Sequence, residues 1–351
     1  MADDASTAAY DYALPDELIA QHPTSRRDES RLLVLDGAST FHRRFRDLPE
    51  RLDPGDVLVL NETRVIAARL HGERLPGGGR VELLLLHPAQ TLRYDARALR
   101  WTALARPARR LHAGQRISFG EFGEATVRRE AEEGVCEIEL HLQLPLERFL
   151  ERAGRMPLPP YIHNDSAEAQ ERYQTVFARL PGSVAAPTAS LHFTTDVLDR
   201  IAKRGVTIVR VCLNVGLGTF RPVSDERIDR HQMHAEAYAI GPEAAETLAV
   251  ALREKRRIVA AGTTVVRALE GNVRAFGEIR AGEHATDIFI TPGFDFRVVG
   301  ALMTNFHLPR STLLMLVSAF AGRERVLHAY GEAIAERYRF YSFGDAMFVS
   351  R

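Results

Sequence analysis

Apolar runs and short polar interruptions alternate along most of the chain, and the clearest run ends in candidate chemistry. Val298 to Met303 is short, apolar and partly β-branched, which predicts a buried strand. Thr304, Asn305, Phe306 and His307 follow as a polar interruption, and Leu313 to Phe320 is apolar nearly all round, as a core helix is. Pro309 suits that helix's first turn, and Ser311 or Thr312 can satisfy its free amides. This order puts Asn305 and His307 at the carboxyl end of a strand, where open α/β sheets bind ligands. A loop histidine bonded to nearby backbone fits the same place.

Other segments repeat the pattern. Strands are predicted at Leu32 to Leu35, Val57 to Leu60, along VTIVRVCLNV and at Ile258 to Ala261. Polar groups stand at their ends: Asn61 to Arg64, the Gly216-Leu217-Gly218-Thr219 loop, and a Gly262-Thr263-Thr264 turn before a helix from about Val265. Short helices are predicted from Pro15 to His22, over Glu171 to Arg179, and over Thr195 to Arg204 with Thr194 as cap.

Between about Arg69 and Leu142 the texture changes to short β-type segments separated by Gly, Pro and charged turns, which suggests a small antiparallel barrel or sandwich. The expected division is residues 69–142 as an inserted β domain, with 1–68 and 143–351 forming one α/β domain; Pro157, Pro159 and Pro160 make a stiff link back.

Composition narrows the class only slightly. Lysine plus arginine and aspartate plus glutamate number 46 each, so any nucleic-acid contact must come from a local basic face. Cys136 and Cys212 lie far apart in apolar runs without a CxxC spacing, as expected of buried thiols in a reducing compartment. The acidic start, MADDASTAAYDY, is neither a signal nor a transit peptide, and no apolar run spans a bilayer, so the expected address is the cytoplasm. His231, His234 and Glu236 cluster, but their spacing does not match a helical zinc pair, so no metal is expected and hydrogen bonding or substrate contact ranks ahead.

Taken together, YDYALPDELIAQHPTSRRDESRLLVLD, LNETRVIAARL, GSVAAPTASLHFT, VGLGTFRPV, HQMHAE, GTTVVRALE, TNFHLPRSTLLMLVSAFAG and YRFYSFGDAMF resemble the S-adenosylmethionine:tRNA ribosyltransferase-isomerases of bacterial queuosine synthesis, from about Tyr10 to Phe348. The resemblance implies an α/β fold: a large domain with a mixed, mainly parallel sheet and an inserted small antiparallel β-barrel. It implies transfer and isomerisation of the donor's ribosyl group onto the aminomethyl group of 7-aminomethyl-7-deazaguanine in a tRNA anticodon, releasing adenine and methionine. S-adenosylmethionine is then a co-substrate, with no true cofactor; tRNA is the macromolecular partner, and a monomer is expected. Where the family usually has histidine before VGLGTF, this chain has Asn214, so either that position is not the general base or a neighbour has taken its role.

The titratable groups in the matching loops are His192, His234, Glu236, Asp287 and His307. His192 and His307 are favoured as acid and base because an unperturbed imidazole titrates near neutrality, with Asp287 and Glu236 as further catalytic candidates. Asn305, Arg267 and His234 are expected to hold polar substrate groups. Gly262, Thr263 and Thr264 are assigned to the methionine carboxylate or a hydroxyl, and Gly216, Gly218 and Thr219 to the pocket wall. Arg26, Arg27, Arg31, Arg43, Arg44 and Arg46 are candidates for the tRNA backbone, with Arg106, Arg109 and Arg110 as a second patch. A small-molecule S-adenosylmethionine-dependent transferase or lyase, and a noncatalytic RNA-binding module, are the competing readings.

Overall fold

A computed structural model describes residues 4–37, 39–88, 96–132, 134–216, 223, 225–233 and 235–350. The chain divides into two compact units, one formed by Met1–Arg64 with Pro159–Arg351 and the other by Val65–Leu158.

The first unit opens with strands β1 (Arg31–Asp36), β2 (Ser39–Arg44) and β3 (Val57–Asn61); the short β4 (Thr63–Val65) leads into the second unit. That unit holds β5 (Arg69–Leu75), β6 (Arg80–Pro88), β7 (Ala98–Arg106), β8 (Arg116–Ser118), β9 (Gly123–Glu132) and β10 (Val135–Leu142). Helix α1 (Leu146–Ala153) and the two-residue β11 (Gly154–Arg155) follow. The strand order is β11-β5-β6-β7-β10-β9-β8, and β5 also pairs with β8, so six antiparallel strands close into a barrel. Leu99, Trp101, Ala103 and Ala105 of β7 and Cys136, Ile138 and Leu140 of β10 are buried at alternate positions, as a barrel interior requires. Closure depends on a close approach at Gly72, where a Cβ would fall 2.7 Å from both Ile117 Cγ2 and the Ser118 carbonyl. Because α1 and β11 belong to this unit, residues 69 and 142 lie inside it.

The chain returns with α2 (Ala167–Arg172), β12 (Leu180–Ser183), α3 (Thr195–Lys203), β13 (Thr207–Leu213), β14 (Glu236–Ile240), α4 (Pro242–Arg253) and β15 (Ile258–Ala261). It continues through α5 (Thr263–Phe276), β16 (Gly282–Thr286), β17 (Ala301–Asn305), α6 (Thr312–Ala321), α7 (Arg323–Ala335) and β18 (Ala346–Ser350). Nine of these strands form one mixed sheet in the order β16-β14-β13-β3-β15-β17-β18-β1-β2. Its centre, β13-β3-β15-β17, is parallel throughout, and β18 pairs parallel with β1. All five residues of β3 are buried, as expected of a central strand covered on both faces. Val57 and Val59 pack with α4 to α7 through Leu248, Val265, Leu314 and Ala329, whereas Leu58 and Leu60 pack with Val197 and Ile201 of α3. Each fully buried Leu or Val contributes about 1.5–3 kcal/mol, so the sheet is anchored from both faces. No helix among the described residues is long and apolar enough to cross a membrane.

Several boundaries differ from those read in the sequence. The strand expected at Val298 to Met303 is β17, Ala301–Asn305. The cause is Glu270, a buried α5 carboxylate that accepts from the amides of Arg297, Val298 and Val299 at 2.9–3.0 Å and holds them outside the ladder. Thr304 and Asn305 therefore lie within the strand, opposite Met347 and Ala346. The helix expected over Glu171 to Arg179 ends at Arg172, where buried Tyr173 becomes its C-cap and packs edge-on to Phe343. Only Asp16–Leu18 of the Pro15 helix forms, as a single 3₁₀ turn. Ser311 is the α6 cap, accepting from Leu314 N at 3.2 Å, and Pro309 precedes it. Cys136 is buried, which pushes its thiol up to about 11; Cys212 is only half-buried.

Candidate active site

Adjacent parallel strands β15 and β17 bring two segments to the same end of the sheet: Gly262-Thr263-Thr264 at the start of α5, and Thr304 to Leu308 at and beyond the end of β17. Both line an open cavity together with Ala186 to Ala189, Tyr161, Tyr341 and Ser342. Gly262 has φ +105, a value that favours glycine, and starts α5 with its amide bonded to the Met303 carbonyl at 2.7 Å. The Thr263 and Thr264 side chains line the cavity beside that helix start, a favourable place for an anion.

Asn305, in the cavity wall, meets His192, which is not among the lining residues. Asn305 Nδ2 donates to the Tyr341 carbonyl at 3.0 Å and to His192 Nε2 at 3.2 Å. A carbonyl only accepts, so this amide orientation is fixed and His192 Nε2 carries no proton. The imidazole proton therefore sits on Nδ1, 2.7 Å from Ser30 Oγ, whose own O–H donates to the Arg27 carbonyl at 3.2 Å. His192 stacks on Phe45 with ring centroids 5.1 Å apart. Burial, with the Arg27 and Arg339 cations nearby, lowers its pKa to about 3. Both ring nitrogens are thus occupied and the ring is neutral.

His307 differs. Its Nε2 lies 2.8 Å from Thr304 Oγ1, its amide donates to Tyr330 Oη at 2.9 Å, and Tyr12 Oη donates to its carbonyl. Nδ1 has no protein partner among the described residues, and burial lowers this ring's pKa to about 3 as well. His307 is therefore a neutral histidine in the cavity wall with one nitrogen unused.

The other candidates separate. Arg267 and Glu236 form a fully buried ion pair, and Arg267 Nε also donates to the Ile288 carbonyl at 3.2 Å. Glu236 Oε1 accepts from Gly216 N at 3.3 Å, so the pair tethers the start of the Gly216 loop and does not line the cavity. Asp287 is exposed and away from the lining. Gly218, Thr219 and His234 lie outside the described residues. Asn214 is exposed, with its side-chain oxygen accepting from Thr63 Oγ1 at 3.2 Å, and is not among the lining residues. Among the described residues no group of three His, Cys, Asp or Glu side chains is arranged to hold a metal.

Of the arginine candidates, Arg26, Arg43, Arg44 and Arg46 are exposed. Arg27 is half-buried, donates to the carbonyls of Arg172 and Leu191, and has its pKa lowered to about 10 by burial, so it is a structural strut. Arg31 lies 3.7 Å over the Tyr338 ring and donates to the Glu336 carbonyl. Arg106, Arg109 and Arg110 are exposed on the barrel unit.

Ser30, Tyr341 and Ser342 escaped the sequence reading. Tyr341 has φ +69, uncommon for a bulky residue, and this conformation accompanies the carbonyl that Asn305 uses. The available signal was the YRFYSFGDAMF match itself; nothing in its periodicity marks Tyr341.

A two-unit α/β-plus-barrel protein with a strand-end cavity and two neutral histidines is the class that fold and site define. The chain belongs to the queuosine biosynthesis protein family, whose model matches residues 7–349. It is 53% identical over 343 residues to the S-adenosylmethionine:tRNA ribosyltransferase-isomerase of Symbiobacterium thermophilum, covering 97% of this chain and 98% of that protein. The crystal structure of S-adenosylmethionine tRNA ribosyltransferase from Thermotoga maritima is similar at a TM-score of 0.55 and 36% identity, covering 97% of this chain and 99% of the other.

Proposed function

We propose that this chain transfers and isomerises the ribosyl group of S-adenosylmethionine onto the aminomethyl group of 7-aminomethyl-7-deazaguanine in a tRNA anticodon, giving epoxyqueuosine, adenine and methionine. The observation that carries the reading is the 53% identity to an enzyme of that name across nearly the full length of both chains. The cavity supports it, being set at the carboxyl ends of parallel strands, where open α/β sheets bind ligands.

The donor's sulfonium acidifies the adjacent C5′ hydrogens, so one base at that carbon starts the sequence. His307 is assigned this role in the tautomer that donates Nε2–H to Thr304 Oγ1, which leaves a lone pair on Nδ1 while burial keeps the ring neutral. Adenine then leaves with the electrons of its glycosidic bond and needs a proton or hydrogen bonds. The acceptor amine attacks in its neutral form, and the alkoxide closes onto the carbon from which methionine departs as a neutral thioether. His192 is assigned a supporting part, since both its nitrogens are engaged. Thr263 and Thr264, at the α5 N-terminus, are assigned to the methionine carboxylate. Glu236 and Arg267 are assigned to holding the Gly216 loop, and Asp287 to no chemical step. The exposed Arg26, Arg43, Arg44 and Arg46 are assigned to the tRNA backbone, and the protein is read as a cytoplasmic monomer.

The test is mass spectrometry of tRNA bearing the aminomethyl base after incubation with the protein and S-adenosylmethionine, without added metal. Epoxyqueuosine with free adenine and methionine is expected. Unchanged tRNA and intact donor, from folded protein, overturn the reading.

A further inference from the structure

Asn305 retains one unused polar atom. Its Nδ2 serves Tyr341 and His192, but its Oδ1 is buried without any hydrogen-bond partner among the described residues. An unpaired buried amide oxygen is costly, and three neighbours nevertheless hold it so: Ser30 fixes the His192 tautomer, His192 takes one Asn305 proton, and the positive-φ Tyr341 carbonyl takes the other. Asn305 lines the cavity, whose described wall contains hydroxyls, His307 and the paired rings of Tyr161 and Tyr341, 4.8 Å apart, but no carboxylate. A substrate ammonium at this acceptor would find no counter-charge. The N–H group of a neutral, flat heterocycle meets both requirements, an acceptor oxygen and aromatic neighbours.

We propose that Asn305 Oδ1 accepts a hydrogen bond from the exocyclic amine of the donor's adenine, and that His192 with Ser30 is a positioning pair that keeps the amide in the accepting orientation. The inference rests on the S-adenosylmethionine reading and adds to it the specificity element for the purine. A donor carrying oxygen in place of the 6-amino group would set acceptor against acceptor, the arrangement that polar sites reject most strongly. His192 in this role contacts Asn305 and not the reacting atoms.

The experiment compares S-adenosylmethionine with its 6-oxo analogue, using the full chain and modified tRNA, by kcat/KM and by calorimetric binding of each donor. Wild-type protein is expected to favour the amino donor by about 100-fold or more. Asn305→Ala and, should that variant fold poorly, Asn305→Ser should bring the preference to within a few-fold of unity and raise the donor KM. His192→Gln should weaken the preference through the donor KM while leaving the pH profile of kcat unchanged. Wild-type protein that turns over S-adenosylmethionine but accepts both donors equally overturns the inference and leaves the proposed function intact. So does a His192→Gln variant with a lost or shifted kcat limb and an unchanged donor KM, or an Asn305 variant that raises only the KM for tRNA. Absence of turnover with S-adenosylmethionine itself removes the underlying reading, and the inference with it.

Discussion

Thr304 Oγ1 lies 2.8 Å from His307 Nε2, and this contact leaves Nδ1 as the imidazole's unbonded nitrogen in the cavity wall. The two residues are three positions apart, Thr304 within β17 and His307 in the segment just beyond its end, so a local departure from the strand rather than a distant loop sets their distance. Thr304→Val, which keeps the shape and removes the hydroxyl, should lower kcat about 100-fold with little change in donor KM; the expectation uses the low end of general acid–base contributions. Steady-state kinetics on tRNA bearing the aminomethyl base checks it, and an unchanged kcat would dissociate His307 from proton transfer.

Both buried histidines, His192 and His307, should make the fold sensitive to acid. Their pKa values are lowered to about 3, in each case chiefly by burial, while an unfolded histidine titrates near 6.5. Between those values the unfolded chain binds more protons, so stability is complete above about pH 6.5 and declines as pH falls toward 3. Urea unfolding at pH 7, 5.5 and 4.5 should show this decline. His192→Gln should flatten part of it; an identical slope in the variant would mean that His192 is not a buried neutral group.

The Glu236–Arg267 pair gives a separate prediction. Both side chains are buried, so removing one partner leaves an uncompensated charge. Glu236→Leu should lower stability by about 3–5 kcal/mol. The double change Glu236→Leu with Arg267→Leu should recover part of that loss while still freeing the Gly216 amide. Chemical unfolding of the two variants decides it: equal losses would show that the ion pair is not what holds this corner.

The arginines should divide in a salt titration. Arg46 is exposed, with no side-chain partner among the described residues, and Arg43 makes only a backbone bond to His42 and lies 5.8 Å from the Phe41 ring. Arg43→Gln and Arg46→Gln should each weaken tRNA binding and reduce the slope of log K against log salt by about 1. Arg27→Gln should instead lower the melting temperature, because its guanidinium ties together the carbonyls of Arg172 and Leu191. Unchanged slopes for Arg43 and Arg46 would place the tRNA elsewhere.

Much of the frame was legible because it follows from local pattern. The all-apolar stretch of β3, the Thr194 cap on α3 and the alternating barrel strands each encode their own structure. The start of β17 was not legible, since the carboxylate that removes Val298 and Val299 from the ladder comes from Glu270, 28 and 29 positions earlier. The site was legible as a set of residues but not as a mechanism. His192 and Asn305 stand out individually, yet the bond between them spans 113 positions and the tautomer depends on Ser30. Titratable residue type predicted an acid–base pair; burial and bonding separate the two histidines instead.

The position of β18 in the sheet has a consequence for the order of folding. It lies between β17 and β1, pairing antiparallel with one and parallel with the other, and brings Ala346 opposite Leu32. Until it docks, the β1–β2 hairpin has no route into the sheet and β17 presents an open hydrogen-bonding edge. That docking is the least local pairing in the unit, and such pairings are slow because a long loop must close first. Interrupted synthesis or proteolytic removal of β18 would therefore leave two unpaired edges in one molecule, a form prone to associate with its own kind before it can bind a donor.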